Sequence, residues 1–309
     1  MTDVVQDQAT VIDRSAEVKK ILKREAWRRR IPILPALLFT IIVTQIPFVL
    51  SLFYSLTDWN IVSGVDRVFI GLGNYGDLLD STLFRRAAWT TVIMTTSSVL
   101  LSVFFGTLVA LLLDRKFFGQ GFVRTLLITP FLITPVVASQ TWSTSMLNPQ
   151  FGVVNFLLGK VGVDDPIQFA GQFPTWTIVA VLVWQWTPFM MLIILAGLQG
   201  QDPSVLEAAR VDGANSRAIF FQITLPQLRP FLELGTLLGS IYLIQVFDQV
   251  DVITGGGPGS TNLPYFVFER SIGGGWEFGQ ASAFSIVVVV ATIIFATLGL
   301  RLLSNLLEE

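Results

Sequence analysis

The chain has 309 residues, 52% of them hydrophobic and only 14% charged, with a mean hydropathy of +0.66. An ordinary soluble domain carries about 25% charged residues, so a water-facing surface could not accommodate this much apolar side chain. A formal charge of -2 excludes a generally basic, nucleic-acid-binding surface, and the lack of any cysteine or histidine excludes disulfides, thiol nucleophiles, Cys/His zinc sites, and histidine bases or proton relays.

A hydrocarbon layer about 30 Å thick is crossed by about 20 mostly apolar residues of helix. Six runs of that kind occur, at residues 31–54, 88–113, 126–147, 175–198, 231–253 and 281–304. Separated by charged or Gly/Pro-rich connections, they predict an all-α membrane protein with six transmembrane helices over residues 31–304. A basic segment, 1–30, precedes this domain and a short tail, 305–309, follows it. The first run begins too far into the chain, and is too long, for a cleavable signal peptide.

Segment 1–30 holds Arg14, Lys19, Lys20, Lys23, Arg24, Arg28, Arg29 and Arg30. Lys and Arg are retained on the cytoplasmic side of a membrane. With that segment inside, fifteen of the twenty basic residues fall inside, and Arg67, Arg85, Arg86, Lys160 and Arg270 fall outside. Both termini are therefore predicted to be cytoplasmic, in a multi-pass plasma-membrane protein.

The first outer connection, 55–87, carries Val68-Phe69-Ile70 beside Gly71, Gly73, Asn74 and Tyr75, and is expected to fold against the outer membrane surface. Pro32, Pro35, Pro47, Pro130, Pro135 and Pro188 lie in or at the ends of runs, where proline removes a backbone hydrogen bond and kinks a helix; such kinks serve a transport path or ordinary helix packing. The third run contains Gln140 and Trp142, and the fourth contains Trp184, Gln185 and Trp186. Aromatic faces and amides suit a neutral polyhydroxylated solute, while the tryptophans serve equally as interfacial or packing residues.

Between the fourth and fifth runs, Asp202 reads as an N-cap, Pro203 as the first helical residue and Gly213 as the stop of a short helix. A second short helix with Ile219, Phe220 and Ile223 follows, expected to end at Leu225-Pro226 and Arg229-Pro230. Ala208 and Ala209 keep the first helix narrow, and Glu207 offers a charge. This helix-turn-helix reads as a docking knob or as an amphipathic pair on the membrane surface. In the fifth run Gln245, Asp248 and Gln249 fall at i, i+3 and i+4 with Tyr242 one turn earlier, a polar stripe that suits a wet path or, for Asp248 and Asp251, a solvated edge. The outer connection after it, with Gly255, Gly256, Gly257, Pro258 and Gly259, reads as a turn or as a gating or docking element.

The spacing Glu207-Ala208-Ala209, Gly213, Ile223, Leu225-Pro226 resembles the EAA loop of binding-protein-dependent ABC importer permeases, and Asp212, Ala214 and Phe220 fit the same pattern. The likeness covers about residues 31–304 and is greatest to the carbohydrate-uptake branch, whose outer motifs Gly71-Leu72-Gly73-Asn74-Tyr75, Arg124-Thr125-Leu126 and Phe247-Asp248 with Thr254-Gly255-Gly256-Gly257-Pro258 resemble. Trp89-Thr90 replaces the Asn-Thr of many relatives and Thr129-Pro130 the usual Leu-Pro.

The resemblance implies the ABC importer permease fold and a bacterial or archaeal inner membrane. The chain would supply one half of a path for a sugar or polyol, beside a second, homologous permease in a heterodimer. Two ATPase subunits would dock on the EAA segments, and an extracytoplasmic binding protein would deliver solute. No Gly-x-x-x-x-Gly-Lys-Ser/Thr loop occurs, so ATP and magnesium are expected on the ATPase; catalytic and metal-binding residues are expected to be absent here. The alternative, an ion-coupled secondary transporter, needs coupling carboxylates near the midplane and an internal repeat. Glu233 instead lies near the inner edge of its run and Asp248 near the outer edge.

Overall fold

The computed structural model describes residues 31–64, 66–163 and 165–308; the basic segment 1–30 and Glu309 lie outside the described residues. Two units are distinguished, 1–53 and 54–309. The described part of the first is a 3-10 turn, Ile31–Ile33, leading into α1, Leu34–Ser55. No residue from 31 to 53 is buried, because this helix is apolar on every side rather than on one stripe. Its polar exceptions return to their own backbone: Thr40 Oγ1 donates to the Ala36 carbonyl (2.9 Å) and Thr44 Oγ1 to that of Thr40 (2.7 Å), as a surrounding without water requires.

The second unit is built round α8, Pro174–Gln199, against α3, Thr82–Leu113, and α11, Leu225–Leu243. On α3 the small residues Ser98, Ser102, Gly106 and Ala110 recur every fourth position and are all buried. A side chain at Gly106 would stand 2.7 Å from Met190 Cβ and 2.9 Å from the Met191 nitrogen. Between membrane helices, where apolar lipid offers no hydrophobic drive, such close approach supplies the packing. Met190 also faces Gly235 and Gly239 of α11, and Gly197 lies under Phe231 of α11. One core cluster joins Met94, Val99, Ile178, Leu182, Leu243 and Val250; a second joins Ala110, Met190, Ile194, Leu195, Leu228 and Leu232.

Two of the predicted runs are broken. The third becomes α4, Gln120–Leu132, and α5, Pro135–Thr141, extended by a π turn, Trp142–Met146, with a 99° bend between the halves. Pro135 disfavours helical backbone at the residue before it, and Thr134 and Ile133 are both extended (ψ 143° and 135°). The fifth run is bent by 55° between α11 and α12, Asp248–Thr254. Carbonyls released at the breaks find side-chain donors: Ile133 O accepts from Gln185 Nε2 (3.0 Å) and Val246 O from Asn262 Nδ2.

The described residues thus hold three unbroken helices of membrane-crossing length, two bent pairs, and α14, Phe278–Glu308, whose apolar part runs Phe278–Ile294. Helix α14 continues through Glu308, with no glycine or proline after Gly299 to stop it.

The connection 55–87 folds on the chain itself. Short strands β1, Thr57–Asp58, and β2, Val68–Phe69, pair antiparallel, and α2, Gly73–Asp80, follows. Asn74 is buried, donating to the Ser55 and Thr57 carbonyls (2.8 and 3.0 Å), and the Tyr75 and Ser55 hydroxyls are 2.7 Å apart. The Arg67 guanidinium lies 4.6 Å from the Trp59 ring. This hairpin rests on the start of α14, where the Gly279 nitrogen donates to the Trp59 carbonyl (3.1 Å) and a larger residue would overlap the Thr57 oxygen. The connection thus packs on α14 and leaves Val68 and Phe69 exposed. The third core cluster, Leu78, Phe84, Leu263, Phe266 and Phe284, lies among α2, α3, α13 (Leu263–Ser271) and α14.

Candidate functional site

Helix α9, Pro203–Val211, starts at Asp202, whose carboxylate accepts from the Ser204 nitrogen (2.9 Å). That backbone bond, then the Ser204 hydroxyl, holds the Asp202 pKa below the ordinary carboxylate value. Pro203 occupies the first turn, where its missing N–H is no loss. The helix stops at Gly213, left-handed at φ 82°, with Ala214 N donating to Ala209 O (3.0 Å). Asn215 then caps α10, Ser216–Ile219, by accepting from Ala218 N (2.9 Å).

The second short helix does not end at its prolines. It passes through a π turn, Phe220–Thr224, directly into α11; Pro226 sits in the first turn of α11 and Pro230 inside it. The expected stop fails because a first-turn proline is tolerated and the π turn has already widened the ladder. Arg229 Nε donates to Glu233 Oε1 at 2.8 Å, so the carboxylate weighed as a coupling group is ion-paired within its own helix.

No residue of α9 is buried. Glu207, Ala208, Asp212 and Gly213 are exposed with Pro226, whereas Ala209, Ala214, Phe220, Ile223 and Leu225 are half-buried. Gln201 Nε2 donates to the Thr224 carbonyl (3.2 Å), drawing the two ends of the segment together. The result is an exposed arm held by caps and a turn rather than by a core.

The polar stripe of the fifth run does not form, because the break at 244–247 redirects it. Gln245 is exposed in the break and donates to its own Ile241 carbonyl (2.9 Å). Asp248 is half-buried at the start of α12. Gln249 is buried, and its Nε2 donates to Gln185 Oε1 at 2.9 Å. With both glutamines 3% exposed, this pair closes an internal bond rather than lining an open path. Gln140 is exposed on α5, and Trp142 meets Trp184 edge-on at 5.4 Å. Trp184 lines an apolar groove of about 650 Å³ with Phe105, Leu126, Pro130 and Thr187, a poor lining for a polar solute.

Tyr242, 58% exposed, lies 5.5 Å from Trp186. Trp186 lies 5.6 Å from Phe131 and 5.5 Å from Phe189, so four rings form one continuous run of aromatic contacts. Phe131 and Phe189 are absent from the sequence-based candidates; the i, i+3 spacing of Trp186 and Phe189 was the available signal.

In the connection after α12 Gly255 and Gly256 are left-handed (φ 58° and 63°), and the Tyr265 ring occupies the place of a side chain at Gly256. Tyr265 donates to the Gly255 carbonyl (2.8 Å), and burial, then the charges of Asp251 and Glu269, raise its pKa and keep that proton in place. Thr261 and Thr175 donate to the Gly256 and Gly259 carbonyls. Gly257 is half-buried and Pro258 exposed on this pinned turn. Among the described residues no group of three or more Asp or Glu side chains is arranged to hold a metal.

Residues 84–306 match the family described as the binding-protein-dependent transport system inner membrane component. The chain is 38% identical over 85% of its length, and 88% of the relative's, to a probable ABC transporter permease protein of Sinorhizobium fredii. It is 32% identical to the trehalose/maltose transport system permease protein of Thermococcus litoralis, covering 91% of this chain and 95% of that one. In fold it is similar to a chain of a bacterial ABC transporter involved in import of the acidic polysaccharide alginate, with TM-score 0.78, 21% identity, and coverage of 94% and 99%. A helical, membrane-embedded chain with this match over most of its length is a transport component and not an enzyme: it belongs to the family of inner membrane permease components of binding-protein-dependent ABC transport systems.

Proposed function

We propose that this chain forms one half of the translocation path of an ATP-driven importer for a sugar or polyol, paired with a second, homologous permease. Six spans with both termini cytoplasmic put the arm 202–226 where an ATPase can reach it. Two ATPase subunits binding ATP and magnesium would seat on this arm and on its counterpart, and an extracytoplasmic protein would deliver the solute. The observation that carries the coupling role is an α-helix with caps at both ends and no buried residue, presenting Glu207, Ala208 and Asp212 outward. Nucleotide-driven closure of the ATPase pair would pull this arm and tilt α11, which continues from it without a stop.

For the solute, the aromatic surface of Phe131, Trp186, Phe189 and Tyr242 supports a sugar or polyol, whose C–H faces stack on rings while its hydroxyls meet an amide such as Gln245. Relatives named for trehalose/maltose and sn-glycerol-3-phosphate transport agree with that class. Ion-coupled transport is disfavoured by the pairing of Glu233 with Arg229. The test is to purify the chain with its cellular partners and look for a co-purifying ATPase and ATP-dependent uptake. Glu207→Arg is expected to abolish both; retention of both refutes the coupling role. The solute is identified by screening sugars and polyols on the delivering protein.

A further inference from the structure

The connection between α5 and α8 carries a short helix, α6, Val153–Lys160, that none of the foregoing uses. Val153, Phe156 and Leu157, with Val161 just past its end, recur at three- and four-residue spacing along one edge and are 46, 62, 55 and 76% exposed. Lipid-facing spans expose apolar side chains too, but this segment lies in a connection, where water would otherwise meet them at a cost. The edge cannot turn inward. On the other side of the helix Asn155 Nδ2 donates to the carbonyls of Asn148 (3.3 Å) and Ile167 (3.1 Å), and its Oδ1 accepts from Ile167 N (2.9 Å). Lys160 stands on the same edge at the C-terminal end of the helix, its ammonium 4.6 Å from the Phe156 ring centroid.

We propose that α6 is an interfacial anchor lying in the outer leaflet, with Val153, Phe156, Leu157 and Val161 inserted below the phosphates and Lys160 paired with them. This rests on the orientation proposed above, which puts the connection outside. Lipid is the occupant the observations favour, because the connection joins the end of the bent pair α4 and α5, apolar enough together to cross a membrane, to the membrane-crossing α8 and so holds α6 near headgroup depth. A lysine whose stem crosses an aromatic ring while its ammonium reaches outward also complements an anionic phosphate layer.

The absence of native cysteine makes the test direct. Nitroxide labels are placed singly at Leu157→Cys, Phe156→Cys and Gly159→Cys in the full importer assembly, reconstituted in phospholipid nanodiscs. Gly159 is exposed off the apolar edge with open space around it. Collision with oxygen, which concentrates in the bilayer, is compared with collision with a water-soluble nickel chelate. The oxygen-to-nickel ratio is expected to be at least about threefold higher at 156 and 157 than at 159, since partition into hydrocarbon favours the apolar gas. Equal ratios, meaning a water-facing edge, overturn the proposal. So does shielding of 156 and 157 from both reagents, which means a protein partner covers them. Labelling of Gly159→Cys in intact cells by a membrane-impermeant maleimide tests the orientation separately: reaction only after permeabilisation refutes the topology, whatever the depth measurement gives.

Discussion

The Gln185–Gln249 bond joins α8 to α12 beyond the 55° break, and through Ile133 it also joins the 99° break of the third run, so its removal tests the central claim about both bends. Gln249→Leu leaves one buried acceptor, Gln185 Oε1, without its donor. Gln185→Leu leaves two groups unpaired, the buried Gln249 amide and the half-buried Ile133 carbonyl. A buried group costs about 1–3 kcal/mol and a half-buried one less, so the Gln185 variant is expected to lose more stability than the Gln249 variant. The double variant leaves only the Ile133 carbonyl unpaired and should lose less than the sum of the singles, with a coupling energy of about 0.5–3 kcal/mol. Thermal or denaturant unfolding of the purified chain in detergent measures all three. Additive losses with no coupling would refute the pairing. Unchanged stability with a raised KM for solute would refute it too, and would return both amides to the path lining.

On the buried ladder of α3, Ser102→Ala should be neutral or stabilising by about 1 kcal/mol, because its hydroxyl finds no partner among the described residues, whereas Gly106→Ala should destabilise by about 1–3 kcal/mol through collision with Met190; unfolding curves of the two variants should move in opposite directions or differ by that amount. Asp202 has its pKa lowered by Ser204, so its capping contribution is fully present above the ordinary carboxylate value and is lost only as pH falls through the lowered one. Amide exchange over residues 204–206 should therefore rise only in acid, and Asp202→Ala should show fast exchange at neutral pH as well. Tyr242→Ala should raise the KM for solute while leaving ATPase co-purification intact; unchanged uptake kinetics would remove the aromatic surface from the path.

The short helix of the arm 202–226 was legible in the residues because caps and stops are local: Asp202, Pro203 and Gly213 act within a few positions of themselves, and each appears where it was expected, while the cap at Asn215 was found only in the structure. The prolines at 226 and 230 were misread as stops, since the cost of a proline depends on whether its nitrogen was needed, and the preceding π turn changes that. The partners of Gln185 and Gln249 were not legible, because polar groups in apolar helices usually face water or each other, and helical spacing cannot say which.

Hydropathy is a property of neighbouring residues, and by itself it determined that the chain is embedded in a membrane; the permease family entered through the resemblance of the segment from Glu207 to Pro226 and is shown by the match over residues 84–306. Which amides are bonded inside the chain depends on where helices break and which carbonyls the breaks release. Only the tertiary structure decided that, by bringing Gln185 to Ile133 and Gln249 to Gln185, across separations in sequence that no helical period connects.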